Sequence, residues 1–398
     1  MGRRDLRIGV IGAGFLADTR ARCWGEVANA SVVAVASRDP SKASLWADRH
    51  GVPAAYASIE ELIDRANVDA VDLCVPNAAH RPLAEVAAAA GCHVICTKPL
   101  TAYVGQDLPE GAEDADVSSR PRAEMARYAE RDARDMIAAA EKAGVLLCYG
   151  ENWLYAPAVK RAQALFERSG GTLLEMRGWE AHNGSHSPYA KTWRYTGGGA
   201  LLRLGAHPVG AMLHLKRIEG LRERGTPILP VSVTGEVADL TQTRGANAEN
   251  TAIATGWQDV ENWGCAIIAF DDGSRAVAYG SDNHLGGMQS RLELFGSNFH
   301  FECNLSPNDQ LMSYAPDPSV LGDAYLIEKQ STSAGWNAAM VDEDFSSGQL
   351  GMIRAFADAL RSGTPPAADG WLGLQVARVI YAAYVAAEEG RRVLLGAE

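Results

Sequence analysis

Six residues near the start constrain this chain more than any others. The apolar run Leu6–Ile11 leads straight into Gly12-Ala13-Gly14-Phe15-Leu16-Ala17, a G-x-G-x-x-A string that opens a helical pattern. Gly12 permits a tight turn, Gly14 lets backbone approach a pyrophosphate, and Ala17 lets the helix pack close to the sheet. Free N–H groups and the positive end of the helix can then hold phosphates. The string alone is a weak signal. Its position between a strand and a helix is the context that makes it dinucleotide-binding. Gly12, Gly14, Phe15 and Leu16 are therefore candidate cofactor contacts.

The residues that follow keep this rhythm. Residues 32–36, 70–75, 93–96 and 145–148 are short β-branched runs of the kind that form buried parallel strands. Helical stretches separate them: one opens with a Ser58/Glu61 capping box, and another, residues 82–90, is rich in alanine. This alternation predicts an α/β Rossmann domain, a doubly wound parallel sheet, over residues 1–150. Residues 101–125 are acidic and hold few large apolar side chains, which reads as a surface loop inserted before a helix over about 122–143. From 151 the texture changes. Tryptophan and glycine become frequent, and residues 265–270, 276–279 and 290–295 alternate between Asp-Asp-Gly and Gly-Ser turns. That predicts an α+β domain with a large, mostly antiparallel sheet over 151–398. Residues 351–361 and 372–389 read as amphipathic helices around Pro365-Pro366, placed to pack back on the rest of the chain. A length of 398 residues is itself more than one compact core usually holds.

The second strand ends Ala36-Ser37-Arg38-Asp39. A carboxylate at such a tip accepts the ribose hydroxyls of NAD, whereas a hydroxyl plus a guanidinium suits the 2′-phosphate of NADP. Ser37 and Arg38 lean the reading to NADP. Asp39 keeps NAD open, and Arg38 is otherwise a solvent-facing turn residue.

Three further strings stand in order along the chain: Val75-Pro76-Asn77-Ala78-Ala79-His80, Thr97-Lys98-Pro99, and Gly197-Gly198-Gly199-Ala200-Leu201-Leu202-Arg203-Leu204-Gly205-Ala206-His207. In order and spacing they resemble the Gfo/Idh/MocA family, named for glucose–fructose oxidoreductase, inositol dehydrogenase and a rhizopine-catabolism protein. The resemblance spans nearly the whole chain and is tightest in the nucleotide half. It implies that Lys98 sits by the nicotinamide and the reacting hydroxyl and that His207 is the general acid/base. It also implies that Val75, Pro76, Asn77, His80 and Thr97 line the cofactor cleft. The chemistry is sound in itself. Oxidising a secondary alcohol needs a base for the hydroxyl proton, which a histidine can be, and a nearby ammonium steadies the developing alkoxide.

Two departures stand out. Thr97 replaces the family's glutamate, and Arg203 replaces the aspartate that partners the histidine. Arg203 and His207 are four apart, so on one helix they would share a face. An arginine disfavours imidazolium. Either His207 works with a lowered pKa, or Arg203 binds an acidic or oxygen-rich substrate, or catalysis has moved, or Arg203 pairs with an acid elsewhere.

Glu151, Asn152, Trp153 and Tyr155 follow the last strand of the first domain, where open sheets place ligands. Trp179, His182, His186, Tyr189, Trp193 and Arg194 form a polar-aromatic stretch of the kind that suits sugars. Candidate substrate contacts are thus Lys98, Asn152, Trp153, Tyr155, His182, Trp193, Arg203 and His207. His182 and His186 have metal-like spacing, but the loop residues between them and the lack of a third ligand leave no metal expected.

The formal charge of −12, with no basic stripe, disfavours nucleic acid and anionic membranes as partners. No apolar signal core and no run near the roughly 18 residues of a membrane span is visible. Seven cysteines, four of them (Cys74, Cys96, Cys148, Cys265) in apolar strand-like runs, suit a reducing cytoplasm. The expectation is an NAD(P)-dependent oxidoreductase. It would move a hydride between nicotinamide and a secondary alcohol or ketone of a sugar, sugar acid or cyclitol. It would take a small-molecule carbohydrate as partner and, by resemblance, form a homo-oligomer through the exposed sheet. The rivals are a redox-neutral glycoside-cleaving enzyme with tightly held NAD(P) and a non-catalytic nucleotide sensor.

Overall fold

Short β-branched runs flanked by helices bury both faces of a sheet, and the first half of the chain does so. A computed structural model describes residues 5–185, 187–245, 251–307, 310–330 and 332–396. Strands β1 (Leu6–Ile11), β2 (Ala30–Ala36), β3 (Ala55–Tyr56), β4 (Ala70–Leu73), β5 (His93–Thr97) and β6 (Leu147–Gly150) pair in parallel in the order 3-2-1-4-5-6. Helices α1 (Phe15–Gly25), α2 (Pro40–His50), α3 (Ile59–Ala66) and α4 (His80–Ala89) connect them, and Ile8, Val10, Val71 and Ile95 are fully buried. The strand order reverses between β1 and β4, and ligands enter the crevice at the carboxyl ends of such a pair. Gly12 turns there with φ +109°. A Cβ at Gly12 would come within 2.2 Å of the Cys74 carbonyl, so only glycine fits.

The segment expected to be an acidic surface loop lies at the surface but is anchored by a short helix and a few buried side chains. It holds a short helix, α5 (Asp114–Ser118), opened by a reciprocal capping box between Glu113 and Asp116. Of its large apolar residues, Tyr103, Val117 and Met125 are fully buried and Val104 and Leu108 partly so. Helix α6 (Arg122–Ala143) occupies the expected span. The strand after it starts two residues later than its pattern indicates. Gly144 closes the helix in the left-handed region and the Val145 N–H still bonds back to the Ala140 carbonyl.

After α7 (Pro157–Ser169) comes a second sheet built from β7 (Leu173–Ala181), β8 (Pro230–Ala238), β9 (Trp263–Phe270), β10 (Arg275–Ser281), β11 (Gln289–Gly296) and β12 (His300–Asn304). Its order is β12-β11-β7-β10-β9-β8, and of these pairs only β7 with β10 is parallel. Helices α8 (Trp193–Thr196), α9 (Ala200–Arg203) and α10 (Ala206–Arg224) follow β7, and α9 and α10 cover one face of this sheet. The other face presents Leu174 and Ile267, both exposed, beside a Trp179–Tyr279 stack at 5.6 Å. A separate hairpin, β13 (Met312–Ala315) with β14 (Gly335–Ala338), precedes helices α11 (Glu343–Ser346) and α12 (Gln349–Ser362).

Helix α12 packs on α1, where the Arg20 guanidinium reaches Gln349 at 3.0 Å. Helix α13 (Gly370–Glu389), read from sequence as amphipathic, is buried almost all round because it lies between α6, α10 and β8. Strand β15 (Val393–Leu394) then adds to the edge of β8. All seven cysteines are free, and Cys265 is only half-buried. Among the described residues no helix is long and apolar enough to cross a membrane.

Candidate active site

The nucleotide side is built from chain ends. Gly14 is the N-cap of α1, no side chain caps the helix there, and the space in front of Gly14 is open. Phe15 beside it is 64% exposed and Leu16 lines the adjoining cavity. Uncapped first-turn N–H groups facing open space fit a pyrophosphate. At the tip of β2 the Asp39 carboxylate accepts from the Ser41 and Lys42 N–H groups at 3.1 and 3.2 Å, and the Ser37 hydroxyl accepts from the Asp39 N–H at 3.3 Å. Arg38 is exposed and makes no ion pair with the described residues.

Val75, Pro76 and Asn77 form the partly exposed lip beyond β4, and the Asn77 amide donates to the Thr196 carbonyl at 2.6 Å. His80 does not line the cleft. It is fully buried, with Nδ1 against the carbonyls of Pro99 and Leu100 and Nε2 against that of Val75 at 3.0 Å. It acts as a strut tying the β4 loop to the β5 loop. Thr97, at the end of β5, pairs with Gly150 and is nearly buried.

Beyond β5 and β6 three charged groups converge on His207. Its Nδ1 lies 2.8 and 3.0 Å from the two oxygens of Glu151, the first residue after β6. Glu151 is fully buried, accepts from the Trp153 N–H at 3.0 Å, and packs its Cγ where a side chain at Gly210 would sit. The Trp153 ring stacks on the imidazole at 5.8 Å and 9°. On the other side of the ring, Nε2 is 3.7 Å from Oε1 of Glu180. Burial, then the Lys98 ammonium, pushes the His207 pKa down to about 3. Burial pushes Glu151 up to about 8 against the pull of Lys98. Burial also lowers Lys98, opposed by Glu180 and Glu151. The arrangement is a neutral imidazole held at Nδ1 by a carboxyl group, with an ammonium within electrostatic reach.

Arg203 is not on this helix face. The chain breaks between α9 and α10 at Leu204-Gly205, so Arg203 ends one helix and His207 begins the next. The break follows from Glu261, buried beneath the glycine-rich turn. It accepts from the Gly199 and Leu201 N–H groups at 3.0 and 2.9 Å and so fixes α9 as a separate turn. The Arg203 guanidinium pairs with the buried Asp282 carboxylate and lies over the Trp257 ring, while its carbonyl accepts from the Lys98 ammonium. Of the readings open at this position, pairing with an acid elsewhere is the one observed.

The proposed substrate wall divides. Asn152, Trp153 and His207 line a cavity of about 620 Å3 together with Glu180, Phe15 and Leu16. Asn152 is anchored by its amide to the Ser347 carbonyl at 2.7 Å. Tyr155 points away: its hydroxyl accepts from the Ala368 N–H at 3.0 Å and its ring meets Phe356 edge-on. Trp193 is core, its indole N–H given to the Tyr103 carbonyl at 3.0 Å. His182 is buried with Nδ1 3.5 Å from Asp282 and belongs to the Arg203 group. His186 lies outside the described residues. Among the described residues no group of three His, Cys, Asp or Glu is arranged to hold a metal. Glu180 was missed, although strand alternation on β7 sets it on the same face as the buried Gly178 and Met176.

The chain is similar to known proteins. Residues 6–117 match the model of an oxidoreductase family with an NAD-binding Rossmann fold, and residues 160–302 match the C-terminal domain of the same family. D-apiose dehydrogenase of Rhizobium rhizogenes is 24% identical over 100% of this chain and 99% of its own length. Trans-1,2-dihydrobenzene-1,2-diol dehydrogenase of Mus musculus is 30% identical over 51% of this chain; the match spans about half (54%) of that relative. GenD2 from gentamicin A biosynthesis, crystallised in complex with NAD, superposes with a TM-score of 0.79 at 23% identity over 99% of this chain and 97% of its own. Myo-inositol 2-dehydrogenase from Lactobacillus plantarum superposes with a TM-score of 0.71 at 18% identity over 99% and 100%. With both family models in register and well over half of the sequence covered, the chain belongs to the Gfo/Idh/MocA family of NAD-binding oxidoreductases.

Proposed function

We propose that the chain is an NAD(P)-dependent dehydrogenase or reductase acting on a secondary alcohol or ketone of a carbohydrate or cyclitol. One observation carries the reading: the His207 imidazole is held at Nδ1 by Glu151, with Nε2 facing the cavity and Lys98 near. With Nδ1–H given to the Glu151 carboxylate, Nε2 is the lone-pair nitrogen. In oxidation Nε2 takes the hydroxyl proton, and the Lys98 ammonium stabilises the alkoxide as it forms. In reduction His207 and Lys98 act in reverse. When bound, the nicotinamide supplies or accepts the hydride. Trp153, stacked on the imidazole, fixes its plane and excludes water from one face.

NADP is the preferred cofactor in this reading. Asp39 spends its carboxylate on the α2 cap, which leaves Ser37 and the unpaired Arg38 to meet a 2′-phosphate. The exposed face of the second sheet, with Ile267, Leu174 and the Trp179–Tyr279 stack, suits a homo-oligomer interface. A cytoplasmic location fits the free cysteines. The redox-neutral rival drew its support from Arg203, and that residue's pairing with Asp282 removes the need for it.

The test is absorbance of reduced nicotinamide with the purified protein, supplied separately with NADP and NAD and a panel of sugars, cyclitols and sugar acids. Turnover with one of them is the expected result. Silence across the panel for both nucleotides, with nucleotide still bound, would remove the hydride-transfer reading.

A further inference from the structure

The cavity in front of His207 is acidic. Its wall holds the carboxylates of Glu180, Glu328, Asp342, Glu343 and Asp344 against the Arg22 guanidinium, with the Lys98 ammonium behind Glu180 and Glu328 as a second cation, so anions remain in excess. Three of the five already have partners. Asp344 takes both arms of Arg22 at 2.9 and 3.1 Å, Asp342 caps α11 through the Phe345 N–H at 2.9 Å, and Glu343 accepts from the Tyr325 hydroxyl at 2.6 Å. Glu180 and Glu328 are left. Glu180 is 6% exposed, and Ser290 occupies one of its oxygens at 3.2 Å. Its other oxygen, beside His207 Nε2, meets no hydrogen-bond donor among the described residues. Glu328 pairs with the Lys329 ammonium, 3.8 Å away, and feels Lys98 more weakly.

We propose that the substrate of this cavity carries an ammonium group, as an amino sugar or aminocyclitol does, and that Glu180 and Glu328 bind it. The inference rests on the reading of this cavity as the substrate site and narrows it to a charge class. A buried carboxylate without a donor is costly, and an N–H⁺ donor satisfies both its charge and its lone pairs. A uronate, aldonate or sugar phosphate would instead add negative charge to a wall already in excess. Burial, and then the neighbouring Glu343, push the Glu328 carboxyl up despite Lys329 and Lys98, so a further cation beside it would be welcome. Position follows from distance. Glu180 Oε1 lies 3.7 Å from His207 Nε2, a spacing that matches substituents on adjacent ring carbons, one facing each group.

The test is calorimetric binding to the full chain saturated with NADPH or NADH, a dead-end pairing with an alcohol. The probes are glucosamine, N-acetylglucosamine, glucose and glucuronate, with 2-deoxystreptamine against myo-inositol. The ammonium probes should bind about tenfold or more tightly than their neutral counterparts, the scale of one hydrogen bond to a charged group. Salt should weaken that preference, and Glu180→Gln or Glu328→Gln should reduce it severalfold. Equal or tighter binding of the neutral or carboxylate probes, failure of both ammonium probes to bind, or a preference that survives the double Gln variant would overturn the proposal. Nicotinamide absorbance in parallel samples with oxidised nucleotide separates the two readings. An ammonium preference without absorbance change keeps this inference and removes hydride transfer. Turnover of neutral sugars without the preference does the reverse.

Discussion

Replacing Glu151 by glutamine tests how His207 is held. The exchange keeps the shape of the side chain, so its contact with Gly210 is retained, but it removes the acceptor charge 2.8 Å from Nδ1. A hydrogen bond to a charged group contributes about 1.5–3 kcal/mol. At about 1.4 kcal/mol per decade that is a loss of roughly ten- to hundredfold in kcat. If the glutamine presents its NH2 to Nδ1, the ring must take the other tautomer and Nε2 ceases to be a base, which sets the upper end. The pH profile carries a second mark. With Glu151 pushed up to about 8, its protonated form below that pH donates to Nδ1 and leaves the proton on Nε2. Its ionised form above that pH accepts from Nδ1–H and leaves Nε2 free. Alcohol oxidation should therefore rise with pH through about 8 in the wild type. The limb should be absent in Glu151→Gln, with nucleotide affinity unchanged by fluorescence titration. A variant with wild-type kcat and the same limb would refute the assignment.

His207→Ala should lower turnover at least about a hundredfold while nucleotide binding stays near wild type, the usual scale for a lost acid/base; near-normal turnover would sink the role. Arg38→Ala should weaken NADP about tenfold or more and leave NAD unchanged, read by titrating each nucleotide; equal effects on both would remove the NADP preference. Gly12→Val should abolish binding of both nucleotides, because its Cβ would meet the Cys74 carbonyl at 2.2 Å; retained affinity in a folded variant contradicts the placement. His214, buried on α10, has its pKa pushed down to about 3 by burial, so the folded state resists its protonation. A depressed pKa contributes stability above the unfolded value of 6.5 that is lost as pH falls toward 3. His214→Leu should therefore lose about 2 kcal/mol less than wild type between pH 7 and 5, measured by urea unfolding at each pH; parallel losses would mean the histidine is already charged.

Local signals were legible and long-range ones were not. The glycine string, the strand–helix alternation and the 122–143 helix each depend on neighbours within one or two turns, so periodicity reports them. The resemblance points to Lys98 and His207, because it carries positions even where packing is unseen. The Glu151–His207 pair spans 56 positions and joins a strand end to a helix start, and no local pattern encodes it. Strand alternation along β7 points Glu180 to the buried face, opposite Trp179. Tyr155 and Trp193 are aromatic residues near the site, and such residues are as readily its foundation as its lining. Both end with their polar atoms given to backbone.

The two departures from the family pattern read together once the partners are known. Thr97 and Arg203 each remove a carboxylate from the neighbourhood of Lys98 and His207, and Arg203 adds a cation. Left uncompensated, that change would raise the cost of keeping Lys98 charged and leave the imidazole with no acceptor at Nδ1. Arg203 is neutralised by Asp282. Glu151 supplies the acceptor at Nδ1, and both Glu151 and Glu180 hold up the charge on Lys98. Two carboxylates are thus lost from the motif positions and two appear from the ends of β6 and β7. What the site requires is a carboxylate on the imidazole and an anionic counterweight to the lysine, and more than one strand end can deliver them. On that account, restoring the motif alone by Arg203→Asp should impair the enzyme. It would leave Asp282 buried without its cation and add a further anion to a group that already has its own.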